Sequence, residues 1–223
     1  MLGAEFPITK VLIDDPPDYI GEKRMEFHLL YAGDLLKAAG RKSTRAWEKH
    51  GIRRELHKQL KRLWETHPAL KYYADKTVEW DHKPPERFLD NLAKNHERGG
   101  IGFIPIATEP NGLVLSLDVL LLRPEGPGQI LNSAGDIDNR MKVLIDALRI
   151  PADLSEMKVR DGDEANPNPM YCLMTDDKLI TALRVKTDRL LLTEGNTEQE
   201  TCVVIRVETG QIDPYGSPYE LHL

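Results

Sequence analysis

Within the run GDIDNRMKVLIDAL, Gly135 to Leu148, carboxylates and a lysine recur at the spacing of helix turns. Asp138, Lys142 and Asp146 stand at i, i+4 and i+8, one polar stripe of a helix, and Asp136 sits just before its start, where backbone N–H groups lack partners. Thirty residues after Asp146, Asp176 and Asp177 form an acidic pair at the entrance of a strand. Three or four such carboxylates, gathered by folding, make a hard oxygen site of the kind that takes Mg²⁺ or Mn²⁺ together with substrate phosphate. A lysine one turn from Asp138 can then meet a phosphoryl oxygen or a developing oxyanion as a point charge. Together these are the parts needed for metal-assisted phosphodiester hydrolysis. A plainer reading competes. Aspartates at a helix start stabilise its dipole, and Asp138 with Lys142 is an ordinary surface pair worth about 0.3 kcal/mol. Spacing alone favours the plainer reading.

The elements that must position these groups follow from periodicity. Ile137, Met141, Leu144, Ile145 and Leu148 share the other side of the wheel, so a helix from about Asp138 to Leu148 has one core face and one polar face. Met25 to Tyr31 reads as a short strand. After GRKST at 40 to 44, the recurrence of Trp47, Ile52, Leu56, Leu60, Leu63 and Trp64 predicts a helix capped by Ser43 or Thr44 and ended by Pro68. PPERFLDNLAKN suggests a short helix with Pro84 and Pro85 at its start. IGFIPIAT and LVLSLDVLLLR read as two strands joined by the turn EPNG, the second apolar enough to be central. The stretch up to Thr175 reads as irregular, and DKLITALRVKT and TCVVIRVET as two further strands with LTEGNTEQE between them. The order β, α, β-β, α, β-β predicts a mixed α/β (α+β) domain, a small mixed sheet with helices packed on it.

The chain has 223 residues, with 30 Lys+Arg against 36 Asp+Glu and a formal charge of −6, which excludes a uniformly basic coat but not a local basic face. Charge is uneven: residues 1–100 carry 19 basic and 16 acidic side chains, and 101–223 carry 11 and 20. From Arg41 to Lys71 ten basic residues face three acidic ones. No apolar stretch reaches the ~20 residues a bilayer needs, the start lacks the pattern of a secretory signal, and Cys172 and Cys202 are too few for a disulfide framework. A cytoplasmic protein with no membrane partner is expected. GRKST lacks the glycine a phosphate loop needs five residues before Gly40, and DGDEANPNP lacks the ligand pattern of a calcium loop.

The string D-x-D-N-x-x-K-x-x-x-D-A-L, carried by Asp136, Asp138, Asn139, Lys142, Asp146, Ala147 and Leu148, resembles the signature of the RusA-like Holliday-junction resolvases, a family of endonucleases. DDKLITALRVKT is similar to that family's second acidic motif and the strand after it, so the likeness covers roughly residues 112–207. The resemblance implies a small α/β fold across 1–223, a homodimer with two symmetry-related sites, Mg²⁺ dependence with Mn²⁺ able to substitute, and nicking of branched DNA. It places the catalytic carboxylates on Asp136, Asp138 and Asp177, with Asp176 as a neighbour at the metal, and the catalytic lysine on Lys142. Arg41, Lys42, Arg45, Lys49 and Arg140 are the expected phosphate contacts, which position a nucleic acid without reading its sequence. Residues 149–175 form an acidic insert, and 66–100 and the tail 211–223 are additions to the pattern. The alternative expectation is a relative that binds nucleic acid or protein without cleaving, its acidic site covered by the insert.

Overall fold

The structure, a computed structural model, describes residues 24–33, 35, 42–80, 83–123, 137–157, 165–191 and 201–211. Its strands are β1 (Glu26–Gly33), β2 (Thr77–Trp80), β3 (Lys83–Arg87), β4 (Phe103–Ala107), β5 (Leu113–Arg123), β6 (Met170–Met174), β7 (Ile180–Arg189) and β8 (Thr201–Gln211). The helices are α1 (Lys42–Thr66), α2 (Pro68–Ala74), α3 (Phe88–Asn95) and α4 (Ile137–Leu148). The α/β expectation holds in its coarse form: a mixed four-stranded sheet, β1-β8-β5-β7, carries helices on one side.

Alternation decides which side. On β5 and β8, Leu115, Leu117, Val119 and Leu121 and Val203, Ile205 and Val207 are buried, while the residues between them are half-exposed. The antiparallel β1–β8 and β8–β5 ladders and the parallel β5–β7 ladder align Leu29, Ile205, Val119 and Val185 in one inner row. On the outer face the row is His28, Arg206, Asp118 and Arg184. There Arg206 Nε donates to Glu26 at 2.7 Å, and Arg184 donates to Asp118 at 3.0 Å. Helix α1 lays Ile52, Leu56, Leu60 and Trp64, each 1% exposed, into the core. Each contributes roughly 1.5–3 kcal/mol by burial. Helix α4 adds Met141, Leu144 and Leu148, with Ile137 and Ile145 partly buried beside them, as its wheel requires.

Several expectations change. Ser43 and Thr44 fall inside the first turn of α1 rather than before it. Pro68 both follows the end of α1 and opens α2, where its missing N–H is needed by no helical bond. Pro84 and Pro85 lie in β3, not at a helix start; α3 begins at Phe88. The EPNG turn forms, with Gly112 N–H donating to the Glu109 carbonyl at 3.1 Å and Gly112 at φ +65°. The strands it joins nevertheless do not pair: β4 pairs in parallel with β6 instead. Likewise β7 and β8 are not neighbours, because β5 lies between them. Part of the expected insert is core, since every residue of β6 is buried.

Candidate functional site

Helix α4 carries the first half of the site. Asp138 lies in its first turn, where a carboxylate meets unpaired N–H groups and the positive end of the helix dipole. Asp138 and Lys142 are both exposed, about 6 Å apart along the axis. Among the described residues neither makes a salt bridge, so the ordinary i, i+4 pair is not formed. The third member of the stripe behaves differently. Asp146 is 9% exposed and accepts from Lys49 Nζ at 3.0 Å and from Arg149 Nη2 at 2.9 Å.

The second acidic pair lies in the turn from β6 into β7. Asp176, half-buried, caps the short 3-10 turn Asp177–Leu179 by accepting the Lys178 N–H at 3.0 Å. Asp177 is exposed and makes no salt bridge among the described residues. The chain ties this turn to the C-terminal end of α4, about 15 Å along the axis from Asp138 in the first turn: Arg149 bridges Met174, and Ile150 N–H donates to the Met174 carbonyl at 3.0 Å. Burial pulls the Arg149 guanidinium down, but Asp146, Glu156 and Asp177 together hold it above its ordinary value.

The expected phosphate contacts separate. Arg41 lies outside the described residues, as do the side chains of Lys42 and Arg45 on the first turn of α1. Lys49 is turned inward, paired with Asp146 at 3.0 Å and Glu156 at 3.6 Å. Arg140 is 3% exposed and on the buried side of α4, so it does not present a guanidinium to a nucleic acid there. Both residues are corrections to the expectation: Lys49 on α1 and Arg140 on α4 each take a wheel position on the buried side of their helix, which overrides the count of charges.

Sequence reasoning missed the polar network behind α1. Arg53, 1% exposed, donates to the carbonyls of Asp146 at 2.7 Å, Arg149 at 3.3 Å and Glu156 at 3.4 Å, and its Nη2 lies 3.6 Å from Glu156 Oε2. His50 Nε2 meets Asn166 Oδ1 at 2.5 Å. Burial lowers Arg53 to about 10, against the attraction of Glu156, so it remains charged at neutral pH. Its signal was present in the sequence: on the wheel of α1 Arg53 projects between Leu60 and Trp64. Glu156, one of the acids of the 149–175 insert, is thereby neutralised by three cations.

Among the described residues no three His, Cys, Asp or Glu side chains form a group that could hold a metal ion; Asp136, the expected third carboxylate, lies outside those residues. Asp138, Asp176 and Asp177 are all among the described residues and are not gathered into such a group; each has the hard oxygen chemistry that suits a divalent cation, but Asp176 accepts the Lys178 N–H and Asp177 lies in the field of Arg149. No helix among the described residues is long and apolar enough to cross a membrane. No family model matches the sequence, no curated protein matches it, and no solved structure matches the fold.

Proposed function

We propose that this chain is a Mg²⁺-dependent endonuclease of RusA-like type that hydrolyses phosphodiester bonds in branched or otherwise structured DNA, working as a cytoplasmic homodimer. The observation that carries the reading is selective exposure: of the acids on the polar stripe of α4, Asp146 is buried and paired, whereas Asp138 stays exposed beside an exposed Lys142. Asp138 and Lys142, one turn apart, are therefore both open to a ligand. The exposure of Asp138 and Asp177 also weighs against a site covered by the insert.

In this reading Asp136, Asp138 and Asp177, with Asp176 beside them, supply the anionic oxygens for the cation. A bound divalent ion would supply Lewis acidity at the phosphoryl oxygens and a coordinated water for attack. Lys142 offers Nζ to the non-bridging oxygen where charge grows during attack at phosphorus. Asp176, fixed by the Lys178 N–H, keeps the turn that carries Asp177 in one conformation.

The test is nicking of a four-way junction, a flap and a linear duplex in Mg²⁺ by wild type, Asp138→Asn, Asp177→Asn and Lys142→Met. Each substitution is expected to lower the rate by about 10²-fold or more. Because Asp138, Lys142 and Asp177 are exposed, stability should move by no more than about 0.5 kcal/mol in urea unfolding, which separates lost chemistry from lost fold. If wild type and Asp138→Asn behave alike on all three substrates, the reading is wrong.

A further inference from the structure

The inward turn of Lys49 and Arg53 leaves the opposite face of α1 as a separate surface. Trp47, Gly51, Arg54, Lys58 and Lys61 follow one another at spacings of four, three, four and three, one stripe along the helix. It runs about 21 Å, roughly six base steps of one strand. Trp47 is 36% exposed, an uncommon placement for the largest side chain. Lys58 and Lys61 are exposed and Arg54 is half-exposed. Two nearby acids stand in solvent-exposed i, i+3 pairs, Lys58 with Glu55 at 2.9 Å and Arg62 with Glu65 at 3.4 Å, while Glu48 is half-buried. Such pairs are weak and yield readily to a phosphate.

Gly51 is the decisive residue. It sits inside a 25-residue helix, where glycine costs roughly 1 kcal/mol relative to alanine, and a Cβ added there would meet nothing within 4 Å. Nothing in the chain's own packing calls for it. A gap one turn from an exposed indole, flanked by cations, suits a partner whose backbone comes close and whose flat group lies on the ring.

We propose that this face of α1 is a nucleic-acid track, on which Trp47 stacks an unpaired base, Gly51 admits the sugar-phosphate backbone, and Arg54, Lys58 and Lys61 hold successive phosphates. The proposal rests on the nucleic-acid part of the preceding reading and adds a surface distinct from the carboxylates. The track lies about half a turn from Lys49 and Arg53, the side of α1 that meets the end of α4, so it is a surface separate from α4 and its Asp138.

Binding of the full-length protein to a fluorescein-labelled 20-nucleotide single strand and to a labelled four-way junction, measured by anisotropy in EDTA, tests this without cleavage. Trp47→Leu should weaken binding by about tenfold, the loss of one stacked base. Gly51→Gln should raise the thermal midpoint, by restoring helix propensity, and still weaken binding several-fold; a purely structural glycine would not give opposite signs. Lys58→Gln with Lys61→Gln should make the slope of log affinity against log salt less negative by about 1.4 on the single strand. Wild-type binding left unchanged by all three variants overturns the track while leaving the endonuclease reading standing. Weakened binding by the variants, with no nicking by wild type, supports the track and overturns the endonuclease. No wild-type binding to either probe overturns both. Competition by polyglutamate as strong as by unlabelled DNA overturns the nucleic-acid assignment in favour of an acidic protein partner.

Discussion

Arg53 joins three stretches of chain through one side chain: α1, the end of α4 at Asp146 and Arg149, and the 3-10 turn Leu154–Met157 that contains Glu156. Its fork matches this task because one planar group reaches several acceptors at once. Arg53→Met leaves Asp146 and Glu156 with less positive charge and three carbonyls without that donor. The expected loss is about 3–5 kcal/mol in urea unfolding. Arg53→Lys keeps the charge but loses the fork, and should fall between the two. Equal stability of wild type and Arg53→Met would show that the network contributes nothing. The candidate carboxylates were legible because they stand together in one short string with a second acidic pair downstream. The network was not, since Asn166 and Glu156 approach α1 only through folding, and a charge count treats Lys49 and Lys58 as equivalent although the wheel sends them to opposite sides.

At the scale of elements, periodicity located strands and helices well and their partners poorly. β5 was readable as central because its apolar density exceeds that of a half-exposed strand. β6 was not, because MYCLM is a run of only five residues between ANPNP and TDD, too short for a period to declare itself. Once β6 takes the parallel edge of β4, the EPNG turn serves to send the chain from one sheet to another rather than to close a hairpin. The approach of α3 to β4 depends on one small residue. A Cβ on Gly102 would lie 2.9 Å from Ala93 Cβ and 3.1 Å from the Ala93 carbonyl oxygen. Gly102→Ala should therefore destabilise by about 1–3 kcal/mol and lower the thermal midpoint by roughly 2–4 °C per kcal/mol. An unchanged midpoint would mean that α3 can slide on β4, and that the packing is looser than these contacts require.

For the whole molecule, the formal charge of −6 is a sum of unlike parts, and some of the basic run offsets buried acid rather than facing solvent. A different group should show in the response of global stability to pH. His57, 9% exposed, accepts the Tyr171 backbone N–H on Nδ1 at 2.8 Å, so a proton at Nδ1 removes the acceptor. Burial, with Lys61 and Lys58 nearby, lowers it to about 4. In the unfolded chain its pKa returns to about 6.5, so unfolding takes up a proton between those two values. Stability contributed by neutral His57 is complete above about pH 6.5 and is lost as pH falls toward 4. Between pH 7 and 5.5 the loss from this one group is about 1 kcal/mol. His96, also lowered by burial and by Arg98, adds in the same direction. Urea unfolding of wild type and His57→Gln across pH 5 to 8 should give a flatter profile for the variant, with the slope due to His96 remaining. Parallel profiles would place His57 in a proton-accessible setting and remove it from the acid sensitivity of the fold.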